Sequence, residues 1–217
     1  WGNKFGLGLI IFGAVITLGS LAGWANLLIK EKLHLLDLEE KEKWLKNGMK
    51  LFLVSEAAVF GALFAHHYYA KTHFPVWPPE GAPNLETRLP AIATLLLMSS
   101  SFTIQWAHTL LKRRNFAWCR KFVVLTIILG AIFLWMQGNE WGFLKAYDQF
   151  TVKSGTYGTS FFMMTGFHGL HVSVGLILLF ITYFRLRLGH FQDKRHFSFV
   201  AASWYWHFVD IVWIFLF

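Results

Sequence analysis

Long apolar runs alternate with short polar connections along this chain of 217 residues. A transmembrane helix needs about 20 apolar residues, because it rises 1.5 Å per residue through a hydrocarbon core roughly 30 Å thick. Six runs meet this length, at about residues 5–28, 49–70, 89–111, 122–143, 158–184 and 197–217. The pattern predicts an all-α fold, in which a polytopic transmembrane bundle of six helices forms a single domain over residues 1–217.

Two of the connections have distinct compositions. Between the first two spans, the stretch from Lys30 to Lys50 has opposite charges spaced for i, i+4 pairs and no proline. It is expected to be a helix outside the membrane or a helical extension of the next span. All five prolines of the chain fall between Lys71 and Pro90. Since proline disrupts a helix interior, this second connection is expected to be an ordered or extended loop.

The basic residues are distributed unevenly between the two ends of the predicted helices. Of the 20 Lys and Arg residues, six follow the first predicted span, five follow the third and four follow the fifth. These three connections lie on one side of a six-span bundle, and short loops rich in Lys and Arg stay on the cytoplasmic or matrix side. Both ends of the chain are therefore expected on the opposite side.

The composition agrees with a membrane protein. Hydrophobic residues make up 55% of the chain and charged residues 15%, against roughly 25% charged residues in soluble domains. The net charge of +8 is concentrated in short loops, so it indicates topology and not a nucleic-acid partner. A single cysteine, Cys119, cannot build a disulfide framework or a cysteine metal site. Because the chain starts at Trp1 without a basic leader, we expect a mature or partial product.

Four ionisable side chains lie inside the last two apolar runs: His168, His171, His207 and Asp210. A charge at this depth costs a few kcal/mol unless a partner meets it. On a helix His168 and His171 share one face, and so do His207 and Asp210, with Trp206 one turn from the aspartate. We expect this second stripe to face protein and not lipid, with Asp210 as a partner of His207.

Other polar residues lie inside earlier spans. The nearest basic residue to Glu56 along the chain is Lys50, six positions earlier, and burial disfavours the charged form of the glutamate, so we predict a protonated acid. It either bonds to a backbone carbonyl or a neighbouring helix, or responds to protons or lipid head groups. Gln137 and Glu140 are expected to cap the outer end of the fourth span or to bond to a neighbour. His108 is expected to pack and to form a hydrogen bond.

Two kinds of ligand site remain open at this stage. Lys112, Arg113 and Arg114 follow the third span directly, where they either attract anionic phospholipid head groups or act only as a topology signal. His171 and His207 lie at depths that leave haem ligation open. The sequence has no zinc, EF-hand or phosphate-loop spacing.

Two strings of the sequence resemble a known family. GTYGTSFFMMTGFHGLHV, from Gly155, and SWYWHFVDIVW, from Ser203, resemble the last two helices of subunit III of cytochrome c oxidase, in the haem-copper terminal oxidase family. The resemblance begins near Lys46 and includes NGMKLFLVSE, the WPPEG loop and WAH. Members commonly have seven helices. It therefore implies that the first helix of that type is missing here or belongs to another polypeptide.

The resemblance implies an accessory, cofactor-free subunit of a proton-pumping oxidase in aerobic respiration. Such a subunit stabilises the catalytic subunit, supports proton uptake and holds phospholipid. Haem and copper would lie in the partner subunit I, with subunit II beside it, in a bacterial inner membrane or a mitochondrial inner membrane. No catalytic or metal-binding residue is expected in this chain, and the electron donor, cytochrome c or quinol, stays open. Ser55 and Glu56 match the pair whose acid reacts with a hydrophobic carbodiimide.

Two alternative functions remain. The chain is either an accessory subunit of nitric oxide reductase, which shares the fold, or a small proton-coupled membrane transporter that uses Glu56 and Asp210 as relay groups. Transporters of that kind favour helices broken by glycine or proline, and the predicted spans have no internal proline.

Overall fold

The computed structural model describes residues 38–79, 82–83, 88–147, 149–191 and 196–217. Within these ranges the chain forms five helices and no strand: α1 (Leu38–His73), α2 (Arg88–Lys112), α3 (Phe116–Tyr147), α4 (Gly155–Arg187) and α5 (Phe197–Leu216). All five are long and apolar enough to cross a membrane. The predicted all-α class is confirmed for this part of the chain, and five of the six predicted spans are found. The predicted span 5–28 lies outside the described residues.

The segment from Glu42 to Phe217 forms one compact unit. From Leu38 onward the charged segment continues into the span as one helix, which agrees with a helical extension. Lys46 Nζ lies 2.7 Å from Glu42 Oε1, in the expected i, i+4 pair.

The proline-rich connection is shorter than the sequence predicts. Helix α1 continues to His73 and α2 begins at Arg88, so regular helix enters the stretch from Lys71 to Pro90 at both ends. The expectation was wrong there because Pro90 falls in the first turn of α2. The first N–H groups of a helix have no partner within it, so a proline costs little at that place.

The connection that follows α2, where Lys112, Arg113 and Arg114 lie, is a tight turn. After α2, the Asn115 N–H donates to the Leu110 carbonyl at 2.9 Å and the Arg114 N–H donates to the Leu111 carbonyl at 3.0 Å. These are the two bonds of a Schellman motif, and Arg114 has the left-handed conformation that the motif requires, with φ 57°. Helix α3 starts at Phe116, so α2 and α3 are forced to run antiparallel.

Helices α2 to α5 are arranged as a ring of four helices, in which α2 and α4 each contact both α3 and α5. The indole of Trp206 fills the interior of this ring and is fully buried. It fits because glycines line both sides: an added Cβ at Gly130 would lie 2.5 Å from its Cη2 atom, and one at Gly175 would lie 2.8 Å from its Cε3 atom. Small residues at these positions let the backbones of α3 and α4 approach α5.

Helix α1 is placed differently. In the described part of the chain, no Cα atom of α1 comes within 8 Å of a Cα atom of the other four helices. Long side chains bridge the space instead: Phe52 stacks on Tyr205, and Phe60 contacts Phe208 with ring centroids 6.2 Å apart. Most of the α1 surface is exposed in the isolated chain. The chain thus combines a tight ring of four helices with a fifth helix at a wider spacing.

Candidate functional site

The polar stripe on α5 faces the interior of the ring, as predicted. Trp206, Asp210 and Trp213 are each at most 4% exposed. The indole N–H of Trp206 donates to the Ser100 hydroxyl at 2.8 Å, and that of Trp213 donates to the Thr94 hydroxyl at 2.9 Å. Helix α2 therefore supplies the acceptors for both indoles, whose buried N–H groups would cost free energy without a partner.

His207 has a different partner from the one expected. Its Nδ1 atom shares a hydrogen bond of 2.7 Å with the Ser101 hydroxyl of α2, and no hydrogen bond joins it to Asp210. Neither carboxyl oxygen of Asp210 has a hydrogen-bond partner among the described residues. The predicted pairing was wrong because a shared helix face brings two side chains near each other without deciding which neighbour each one meets.

Hydroxyl groups of α2 form a layer that the sequence reasoning missed. Ser100, Ser101 and Thr94 bond to α5 side chains, and the Thr103 hydroxyl lies 2.7 Å from the Thr126 hydroxyl of α3. Most of these hydroxyls also donate to a carbonyl of their own helix, as Ser100 does to Leu97 at 2.6 Å. The signal available in the sequence was a run of serine and threonine inside an apolar span.

Glu56 meets a histidine from α4. The His171 Nε2 atom lies 2.9 Å from Glu56 Oε2, and His171 Nδ1 lies 2.6 Å from the Phe167 carbonyl oxygen. The histidine side chain is 8% exposed and the glutamate side chain 24% exposed. The neighbouring-helix bond allowed for Glu56 from the sequence is therefore present. The rings of Phe60 and Tyr205 flank the imidazole, at centroid distances of 5.0 and 6.3 Å.

His168 lies on the same helix as His171 but faces other elements. Its ring is fully buried between Phe133 and Trp213, at centroid distances of 5.7 and 5.0 Å. Neither ring nitrogen has a hydrogen-bond partner in the part of the chain that the structure describes. The two histidines predicted to share a face therefore serve different contacts, one inside the ring of helices and one toward α1.

The remaining predicted polar residues lie near the ends of the bundle. Gln137 Nε2 donates to Glu140 Oε2 at 3.2 Å, so these two bond to each other within α3. Of the two roles expected for this pair, a helix cap or a bond to a neighbour, the cap is not found, because α3 continues to Tyr147. The His108 ring packs on Phe199 with centroids 5.6 Å apart. The expected packing is therefore seen. The Nε2 atom of His108 is buried and forms no hydrogen bond in the described ranges.

Lys112, Arg113 and Arg114 close α2 at the turn into α3, and all three side chains are exposed. Arg185 and Arg187 lie in the last turn of α4, which ends in a second Schellman turn with Gly189 at φ 69°. Because adjacent helices are antiparallel, the ends of α2 and α4 lie on the same side of the bundle. The helix directions thus agree with the predicted grouping of basic residues.

The geometry leaves little room for haem ligation by the predicted pair. Both ring nitrogens of His171 are engaged, one with a carbonyl and one with a carboxyl, so neither has a lone pair free for iron. Over the described residues, no group of three or more His, Cys, Asp or Glu side chains is placed to hold a metal ion.

Comparisons with known proteins give a consistent result. A family model described as cytochrome c oxidase subunit III matches residues 3–217. The chain is 38% identical over 220 aligned positions to cytochrome c oxidase subunit 3 of Patiria pectinifera, covering 96% of this chain and 82% of that protein. It is 40% identical over 182 positions to the subunit of the same name from Rattus norvegicus, covering 81% and 68%. The resemblance found in the sequence is confirmed, and the chain belongs to the cytochrome c oxidase subunit III family.

Proposed function

We propose that this chain is the accessory, cofactor-free subunit III of a proton-pumping haem-copper terminal oxidase. The observation that carries the proposal is the family match over residues 3–217, together with five helices able to cross a membrane. The chain is a multi-pass protein of a bacterial or mitochondrial inner membrane. Haem and copper belong to the catalytic subunit I, with subunit II as a further partner, and the oxidase takes its electrons from cytochrome c or quinol.

The proposal includes the part of the chain outside the described residues. Residues 5–28 form a sixth span, and residues 1–217 act as one transmembrane domain. Because α1 and α2 cross the membrane one after the other, Lys43 and Lys46 near the start of α1 lie on the same side as the turn after α2, as the distribution of basic residues requires.

Phospholipid is the proposed occupant of the space beside α1. The wide spacing of α1, with exposed side chains such as Val59 and Tyr68, supports this assignment. An acyl chain fills an apolar space of that kind, and Lys112, Arg113 and Arg114 lie where an anionic head group is attracted. The lipid-linked or proton-linked role of Glu56 belongs to the same region, because its carboxyl extends from α1 to His171 of α4.

The buried polar residues of the ring are proposed to hold the shape that the catalytic subunit recognises. This network has eight predicted members: His108, Gln137, Glu140, His168, His171, Trp206, His207 and Asp210. Bonds such as Trp206 to Ser100 join helices directly. In hydrocarbon a broken bond of this kind leaves an unsatisfied polar group, so the network favours one arrangement of helices.

The test is purification through an affinity tag on this chain in a mild detergent. We expect a companion polypeptide whose absorption spectrum shows haem, and oxygen consumption with cytochrome c or quinol as donor. Deleting the chain should leave oxygen reduction in freshly prepared membranes but shorten the working life of the enzyme. Turnover of nitric oxide in place of oxygen would assign the chain to a nitric oxide reductase. A stable chain without a coloured companion would contradict both assignments and favour a transporter.

A further inference from the structure

A tryptophan crosses the gap between α1 and α4 at the outer end of the bundle, the end opposite the basic turns. Trp77 lies in the connection after α1, and its indole contacts His67 of α1 and Tyr157 of α4, with ring centroids 5.3 and 5.2 Å apart. The rings meet at 83° and 89°, the edge-to-face geometry that aromatic pairs favour. In the described part of the chain, this side chain therefore bridges two helices whose Cα atoms stay more than 8 Å apart.

A hydrogen bond between the same two helices lies next to this indole. The Nδ1 atom of His67 is 3.1 Å from the hydroxyl oxygen of Ser160, and that hydroxyl also donates to the Tyr157 carbonyl at 3.0 Å. Ser160 is 4% exposed, although it lies five residues, or about 7.5 Å, from the start of α4. Trp77 contacts both residues to which this hydroxyl is bonded, so the indole covers the hydrogen bond where the chain leaves α1.

Two polar contacts lie along one line between α1 and α4. His67 follows Glu56 by 11 residues in α1, and Ser160 precedes His171 by 11 residues in α4. Eleven residues make almost three full turns, so each helix presents both of its polar residues on one face, and the two contacts are about 16 Å apart. Water that entered at the outer end would therefore meet a second polar pair deeper in the membrane.

The connection after α3 supports the indole from the side of the ring of helices. Phe150 in this connection is 3% exposed, and its ring contacts Tyr157 with centroids 5.7 Å apart. Its backbone N–H donates to the Leu144 carbonyl at 3.0 Å. Leu144, Phe150 and Tyr157 form a small apolar cluster, and Trp77 packs against it. Tyr157 is thus held on the side of the ring, and the indole extends from it to α1.

We propose that Trp77 is an outer seal of the space beside α1, and that its indole keeps water on the outer side of the membrane away from the hydrogen bond between His67 and Ser160. The alternative is an indole that only anchors its loop at the membrane interface, as tryptophan commonly does. An anchor needs contact with lipid head groups, whereas Trp77 is partly buried and contacts two helices. The seal concerns this chain alone and does not depend on its role in an oxidase.

Cysteine labelling tests the seal in the complex purified through a tag on this chain, with whatever partners it retains, in lipid nanodiscs. Ser160→Cys places a thiol at the covered hydrogen bond, and a charged, water-soluble thiol reagent labels it only where water reaches it. With Trp77 present, we expect slow labelling at position 160. Adding Trp77→Ala should raise the labelling rate by at least about tenfold, which corresponds to about 1.4 kcal/mol in favour of the open form. Trp77→Phe keeps a smaller ring between the helices and should give an intermediate rate.

Two controls separate the seal from other effects. Val76→Ala changes the neighbouring side chain, which is 57% exposed, and should leave the labelling rate at position 160 unchanged. The native Cys119 is fully buried, so its labelling reports unfolding of the chain. Equal rates with and without the indole, or an equally large effect of Val76→Ala, would overturn the proposal. Labelling of Cys119 together with position 160 would also overturn it, because the chain would then unfold as a whole and not open at its outer end.

Discussion

The buried indole of Trp206 gives a sharp test of the packing. An added Cβ at Gly130 would lie 2.5 Å from Cη2 and 2.8 Å from Cζ2 of this ring, closer than real side chains approach. At Gly138, two turns later on the same helix, an added Cβ would meet nothing within 4 Å. Gly130→Ala and Gly138→Ala therefore make the same chemical change in α3 with opposite consequences for packing.

The magnitude follows from comparing the two variants. Alanine is favoured over glycine in a helix by about 0.8–1.0 kcal/mol, and this gain is common to both positions. Overpacking a filled interior costs about 1–3 kcal/mol, and only Gly130→Ala incurs it. The free energy of unfolding of Gly130→Ala should therefore lie about 1–3 kcal/mol below that of Gly138→Ala, roughly a 5- to 150-fold change in the folding equilibrium.

The assay is titration of the purified complex with sodium dodecyl sulfate in mixed micelles, with retention of this chain as the readout. A third variant adds Trp206→Phe to Gly130→Ala, since the phenyl ring is shorter than the indole and relieves the clash. We expect the loss of stability in this double variant to be smaller than the sum of the losses in the Gly130→Ala and Trp206→Phe single variants, with a coupling of about 0.5–3 kcal/mol. Equal stability of the two alanine variants, or strict additivity in the pair, would refute this account of the ring interior.

Two further predictions concern the hydroxyl layer and the cysteine. Thr94→Val removes the acceptor of the Trp213 indole and should cost about 0.6–1.7 kcal/mol in the same titration. Ser99→Ala should change little, because in the described part of the chain that hydroxyl bonds only to the Leu95 carbonyl of its own helix. Cys119 is fully buried, so a maleimide should label it only after unfolding. Rapid labelling of the folded complex would mean that the start of α3 opens.

The positions of the spans were predictable because hydropathy reports directly which residues lie in lipid. The predicted span 89–111 corresponds to α2 at Arg88–Lys112. The predicted span 49–70 lies within the longer helix α1 at Leu38–His73, whose first turns belong to the charged segment that was expected to be a helix outside the membrane or a helical extension of this span. Its first turns carry Glu and Lys, which form helices readily but do not enter hydrocarbon. Hydropathy therefore marked the part of α1 within the membrane and not the length of the helix.

The partners of the buried polar residues were not predictable in the same way. Periodicity placed His207 and Asp210 on one face, but the bond of His207 goes to Ser101, 106 residues earlier in the chain. Glu56 had no base nearby in sequence, and its partner is 115 residues away. Spacing along a helix limits which side chains share a face. The identity of the partner depends on which helices are neighbours and at what depth, which one sequence does not specify.

The close packing of α2 to α5 and the wider spacing of α1 follow from one difference: whether a helix has a small residue at its contact with a neighbouring helix. Lipid tails are as apolar as the helix surfaces, so helices associate in a membrane through close packing and hydrogen bonds. Helices α3 and α4 present Gly130 and Gly175 to Trp206 and come close, whereas an added Cβ at Gly61 of α1 would meet nothing within 4 Å. Without such an approach, α1 reaches its neighbours through long aromatic side chains and through Glu56. A wide space is compatible with a partly buried acid only if a partner spans it, and His171 does so from α4.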